Sequence, residues 1–129
     1  MGDREILAKT VYAEARGEPE KGWESVAWVI KNRANANREY WGGSNIGNVC
    51  LKDRQFECWN GKKDIHIDDP ATYARIKRMT DRIFDEPMRN DPTGGCDHYN
   101  NPKKEGYPAW TRNCDRVMKV GNHVFYKQK

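Results

Sequence analysis

Two apolar stripes with helical spacing stand back to back in the first 36 residues, parted only by Gly17 and Pro19, and a chain that begins this way has to fold around a helical hairpin. The first stripe predicts a helix from about Asp3 to Arg16, with Asp3 as its cap and Gly17 and Pro19 as its stop. With about 100° per residue and Ile6 at zero, Thr10 falls at about 40°, Glu14 at about 80°, Leu7 at about 100° and Val11 at about 140°, while Glu5, Lys9 and Arg16 lie on the far side. The second stripe, Trp23, Val26, Ala27, Ile30 and Ala34, predicts a helix from about Glu20 to Ala36, packed antiparallel on the first.

Glu14 is the anomaly in this pattern, because a carboxylate sits in the middle of an apolar arc. A carboxyl group that loses water holds its proton, which is the state a general acid needs. The alternative is a buried ion pair with Arg16 or Arg33. Glu18 lies beyond the glycine and is placed to cap the second helix, to bind Arg16 or to line the same cleft.

Further along, "ANREYWGGSNIGNV" reads as loop through its Gly and Asn, and "CLKDRQFECWNGKKD" as a short hairpin or ordered loop. A third helix starts at Asp68 or Asp69, carries Tyr73, Ile76, Thr80 and Ile83 at helical spacing, and ends before Pro87, with Lys77, Arg78 and Arg82 on its solvated face. "CDHYNNPKKEGYPAWTRNC" is too rich in Pro, Gly and Asn for regular structure and long enough to be functional. "VMKVGNHVFYK" predicts a short terminal strand. The fold class is therefore mostly α, of α+β type, in a single domain over residues 1–129 with a small β-hairpin or terminal strand.

A chain with 36% hydrophobic residues still carries five Trp, six Tyr and three Phe, which argues for a folded domain with an aromatic-lined groove. The net charge of +4 is interspersed in sign, so it favours an acidic partner only weakly. Basic residues gather in no stripe, which tells against nucleic acid. No stretch is long and apolar enough to insert in a membrane, and "MGDREILAKT" lacks the apolar core of a signal peptide.

Cys50, Cys58, Cys96 and Cys114 allow three pairings; if bonds form, local spacing favours Cys50 with Cys58 and Cys96 with Cys114, and buried free thiols are an equal alternative. His66, His98 and His123 sit in no spaced metal motif, although His98, His123 and a carboxylate could converge on zinc; we expect no metal and no cofactor. What remains is one carboxylate at a helix end and loops bearing Gln, Asn, Tyr and Trp, a combination that suits carbohydrate.

"LAKTVYAEARGEPEKGWESVAWVIKNR", "QFECWN", "GCDHYNNP", "PAWTR" and "VGNHVFYK" together resemble the SleB-type cell-wall hydrolases, the family of spore cortex-lytic enzymes and related phage endolysins. The resemblance runs from Leu7 to Tyr126. It implies a lysozyme-like domain acting as a monomer on the glycan strands of peptidoglycan. By this resemblance Glu14 is the catalytic acid, while Glu18, Gln55, Phe56, His98 and Tyr99 support the site or contact substrate. We further expect Tyr126, with Tyr99 or Gln55, to stabilise the charge developing at C1 and the acetamide, and Trp59 and Trp110 to serve as sugar platforms. The resemblance also implies a lytic transglycosylase that leaves 1,6-anhydro-MurNAc ends. A hydrolytic muramidase with Glu18 or Asp97 as second carboxylate, an N-acetylmuramoyl-L-alanine amidase and a non-catalytic wall-binding module are the alternatives. Lacking a secretion signal and a wall-binding domain, such a chain is expected to be of phage or prophage origin, made in the host cytoplasm and released by a holin or its equivalent.

Overall fold

The computed structural model describes residues 1–129. Five helices, α1 (Asp3–Ala15), α2 (Glu20–Ala36), α3 (Ile46–Leu51), α4 (Pro70–Asp85) and α5 (Pro102–Glu105), are joined by short 3-10 turns and by a three-stranded antiparallel sheet of β1 (His98–Asn100), β2 (Cys114–Val120) and β3 (His123–Gln128). The sheet order is β1-β3-β2. The first two helices and the long α4 run where the apolar spacing puts them.

α1 is the hub, packed against α2, α3, α4 and the 3-10 turn at Glu57–Trp59. Ile6, Leu7, Ala8, Thr10, Val11, Tyr12 and Ala15 are all buried, so the helix is covered nearly all round instead of along one stripe. Full burial of a Leu or Val side chain is worth about 1.5–3 kcal/mol, enough to outweigh the modest helix preference of its β-branched Val11 and Thr10. Lys9, expected on the solvated far side, is buried too. Its stem lies under the 60s loop and its ammonium reaches Asp64 at 2.8 Å and Glu5 at 3.1 Å.

Capping differs from the sequence reading at α1. Gly2, not Asp3, is the N-cap, and Asp3 instead accepts a hydrogen bond from the Asn45 amide at 2.7 Å, tying α1 to the start of α3. α4 follows the rule: Asp69 accepts from the Thr72 N–H at 3.2 Å with Pro70 in the first turn. At its far end Lys31 Nζ donates to the carbonyls of Ile83, Phe84 and Glu86, which satisfies the last turn and complements the helix dipole.

Of the hairpin or ordered loop expected at residues 50–64, the structure shows the second: the stretch contains no strand, and after the last turn of α3 it runs as loop with one 3-10 turn. The terminal strand is in fact a hairpin, with Val120 facing His123 across the turn Gly121–Asn122 and a bulge between Arg116 and Met118. β1 adds to its other edge, His98 opposite Tyr126 and Tyr99 opposite Phe125. Of the two alternatives for the cysteines, free thiols hold. Cys50 and Cys96 are buried free thiols and Cys58 and Cys114 half-buried ones; burial pushes the first up to about 12 and the second to about 11.

The hairpin is pinned to the α1–α2 turn by Glu18, which accepts from the Asn122 N–H at 2.7 Å and its side-chain amide at 3.1 Å. Gly121 makes that approach possible. It sits at φ +58°, and a Cβ there would come within 2.3 Å of Glu18 Oε1 and 2.9 Å of Pro19 Cδ. Gly121→Ala is expected to destabilise the fold by about 2 kcal/mol or more through left-handed strain and loss of the clamp, read as a lower denaturation midpoint with unchanged m-value.

Candidate active site

Glu14 stands in the last turn of α1, between exposed Ala13 and buried Ala15, at the margin of the core. It opens onto a groove of about 520 Å³. One wall is the segment carrying Arg54, Gln55, Phe56, Glu57 and Asn60; the other carries Tyr99, Lys104 and Glu105, and Arg33 reaches in from α2.

The first wall is held rigid by the core. Trp59 donates its indole N–H to Thr10 Oγ at 2.9 Å, and that hydroxyl donates to the Ile6 carbonyl at 2.7 Å. Gln55 donates its amide to the carbonyls of Trp41 and Val49 at 2.9 and 2.7 Å, so its side-chain carbonyl oxygen is the atom left for a ligand. Phe56 is buried beneath the Arg33 guanidinium, which lies 5.7 Å from its ring and 5.3 Å from that of Trp41. Arg33 donates to the Asp97 carbonyl at 2.7 Å. Burial lowers the guanidinium's pKa, and the neighbouring Tyr99 and Asp97 oppose that.

Neither ion pair that would have made Glu14 merely structural exists. Arg16 is taken by Asp68 and by the Tyr12 hydroxyl, and Arg33 by the Asp97 carbonyl. Glu14 instead accepts one hydrogen bond at Oε1, from the Tyr99 hydroxyl at 2.5 Å. Burial first, and then the Glu14 charge, hold the Tyr99 phenol well above its ordinary pKa, so it stays a donor. The half-buried Cys58 thiol lies close by. Burial, helped by the Glu14 carboxylate, pushes it up to about 12, so it is a neutral neighbour.

Glu14, Gln55, Phe56 and Tyr99 thus meet in one groove, and Glu18, His98 and Tyr126 do not. The reason for the last two is strand alternation. Tyr99 and Phe125 form one cross-strand pair and His98 and Tyr126 the next, so they face opposite sides. Tyr99 turns toward Glu14, with its ring 5.0 Å from His123 and 5.7 Å from Phe125. His98 turns away, held by Asp97 at 2.9 Å between Trp41 and Trp110. Tyr126, 2% exposed, donates to the Asn100 side chain at 3.0 Å. Trp59 is likewise buried and Trp110 packs on His98 and Tyr126, so neither tryptophan lines the groove. Nor do any three His, Cys, Asp or Glu side chains converge as metal ligands.

Arg33 was considered in the sequence only as a partner for Glu14. Its place as a groove residue was signalled there, four residues after Val29 and three after Ile30 on the buried stripe of α2, where a cation needs a reason. Arg54, Glu57, Asn60, Lys104 and Glu105 carry no such mark. A second cleft, of about 470 Å³, opens between α2 and α4, but no predicted site residue lines it, and Glu20 and Glu24 pair with its Arg75 and Arg82.

Behind Tyr99, His123 is buried with no partner at Nδ1. Burial lowers its pKa below 6.5, only partly opposed by the carboxylates of Glu18, Glu14 and Glu105. Burial pushes Glu18 up, but the two Asn122 hydrogen bonds, with His123 and Lys103, bring it below 4.5. Both groups bind protons more readily unfolded than folded, so each contributes stability above its unfolded pKa and loses it as pH falls. Stability is therefore expected to decline from about pH 6.5 downward, and further below about pH 4.5. Denaturant titrations of His123→Phe should lack the first part of that decline and keep the second.

Known proteins share this architecture. Residues 17–126 match the family model described as cell wall hydrolase. The spore cortex-lytic enzyme of Oceanobacillus iheyensis is 31% identical over 98% of this chain and 42% of its own length, and that of Halalkalibacterium halodurans 30% identical over 95% of this chain and 34% of its own. The chain thus spans less than half the length of these curated relatives. Among solved structures, the catalytic domain of the germination-specific lytic transglycosylase SleB from Bacillus anthracis superposes with a TM-score of 0.74 at 29% identity, covering 97% of this chain and 93% of that one. The catalytic domain of the Bacillus cereus SleB protein gives 0.72 at 27% identity, over 97% and 89%.

Proposed function

Because the chain belongs to the cell wall hydrolase family, we propose that it cuts peptidoglycan glycan strands between MurNAc and GlcNAc as a lytic transglycosylase, with Glu14 as both acid and base. The observation that carries this reading is the Glu14 carboxyl group, set on the groove at the end of α1 with no cation paired to it and with the buried Tyr99 hydroxyl bonded to one of its oxygens.

Protonated Glu14 gives its proton to the glycosidic oxygen as the bond to C1 of MurNAc breaks. The resulting carboxylate then takes the proton of the C6 hydroxyl as O6 closes on C1. The products are a GlcNAc hydroxyl and a 1,6-anhydro ring, Glu14 ends protonated, and no water is consumed. Tyr99 acts through Glu14: bonded to Oε1, its hydroxyl orients the carboxyl group that carries the proton. The Gln55 carbonyl oxygen, its amide already anchored, is offered to a sugar hydroxyl or acetamide N–H.

The two carboxylates that a hydrolytic muramidase would have borrowed are engaged elsewhere, Glu18 with Asn122 and Asp97 with His98 and the Gln128 N–H. A water-using mechanism would instead fall to Glu57 at the groove. Mass spectrometry of muropeptides from purified sacculi decides between them: terminal disaccharides lighter by one water support the transglycosylase, and reducing MurNAc ends overturn it. Lysis that survives EDTA separates both from a zinc amidase. The site of action proposed is the bacterial wall, with the chain acting as a monomer.

A further inference from the structure

We infer that Arg54 and Lys104 bind a carboxylate of the substrate's stem peptide, so that glycan whose stems carry free carboxylates is preferred over the same glycan with those carboxylates capped. The inference rests on the murein reading of the groove. In intact murein the lactyl carboxyl of each MurNAc is tied up in the amide to its stem peptide, so the rings, hydroxyls and acetamides of the strand carry no charge and the negative charge sits on the carboxylates of the stem. Free cations on the groove therefore answer to the stem and not to the sugar rings.

Three cations line this groove. Arg33 is accounted for by the Asp97 carbonyl and by the rings of Trp41 and Phe56. Lys104 and Arg54 are not. Lys104, on α5, makes no side-chain hydrogen bond or ion pair; Arg54, on the opposite wall, has only a 3.9 Å contact with Asp53, both side chains 89% exposed, a pairing that contributes almost nothing. Of the groove carboxylates, Glu14 is bonded to Tyr99 and Glu105 accepts from the Asn101 N–H at 2.9 Å, which leaves Glu57 as the one without a partner.

Arg54 adds a second, independent sign. It lies at φ +64°, in the left-handed region that a glycine would enter freely and an arginine enters only at a cost. Backbone strain retained at a ligand-facing side chain points to the side chain's use. Two unpaired cations on facing walls, beside the carboxyl group that would cut the chain, form a clamp for an anionic branch.

The test compares soluble murein strands with the same strands after their stem carboxylates are capped as methylamides. For the wild type, capping should raise KM about five-fold and leave kcat alone. The double variant Arg54→Gly with Lys104→Gln should show the higher KM on both substrates, with kcat unchanged. Arg54→Gly alone should melt no lower than wild type, since the strain is released, which shows that its KM effect is not misfolding. Equal KM on capped and uncapped strands for the wild type, or a double variant that still discriminates, overturns the clamp. Absence of turnover by the wild type on either strand overturns the murein reading itself and the clamp with it.

Discussion

Glu14→Gln is expected to lower murein turnover by about 10³-fold or more while leaving the folded state essentially intact. The argument starts from what Glu14 does not do. It holds no cation, since Arg16 and Arg33 are engaged with Asp68 and the Asp97 carbonyl, so neutralising it orphans no buried charge. Its one hydrogen bond is accepted from Tyr99, and a glutamine side-chain carbonyl accepts the same bond in the same place. The amide cannot donate a proton to a leaving oxygen or take one from a C6 hydroxyl, so both halves of the proposed reaction fail together. Release of anhydro-muropeptides, measured beside the thermal midpoint, checks the two sides at once. A folded variant that turns over at the wild-type rate would remove Glu14 from the chemistry. A variant that loses its fold would return it to the structural role that the ion-pair alternative assigned.

Glu14 could be found in the sequence because helical geometry is local. Nothing beyond 100° per residue was needed to see a carboxylate in an apolar arc. The same locality explains the failures. Lys9 was assigned to solvent from the stripe of one helix, but α1 has neighbours on every side, and the aspartate that meets the lysine is 55 residues away. His98 and Tyr99 form one motif as neighbours in sequence, yet a strand sends neighbours to opposite faces; only the pairing of Tyr99 with Phe125 decides which one looks at Glu14. β1 is three residues long and β2 reads as polar edge, so neither leaves a pattern that a single sequence can reveal. Glu18 is near Glu14 in sequence but does not line the groove; its partner Asn122 lies 104 residues on, and its clamp on the hairpin turn was invisible until the chain closed.

Tyr99→Phe is the experiment that separates a positioning residue from a sugar contact. Removing the hydroxyl deletes one hydrogen bond to an ionisable acceptor, a contact worth about 1.5–3 kcal/mol, so kcat should fall by about 10- to 100-fold. The ring should stay in place, because Phe125 and His123 hold it at 5.7 and 5.0 Å. KM should move by no more than about two-fold, since an interaction made through Glu14 leaves substrate binding alone. A tyrosine that touched the sugar would show the reverse, a raised KM with kcat preserved. Adding Glu14→Gln to Tyr99→Phe should cost little beyond Glu14→Gln alone, because the hydroxyl has nothing left to position once the acid is gone. The partner across the strand supplies the contrast: Tyr126→Phe removes a hydrogen bond to Asn100 on the opposite face, and should lower stability slightly while leaving kcat where it was. If Tyr126→Phe slowed turnover as much as Tyr99→Phe, the short bond from Tyr99 to Glu14 would be an accident of packing, and the orientation of the acid would have to be sought elsewhere in the groove.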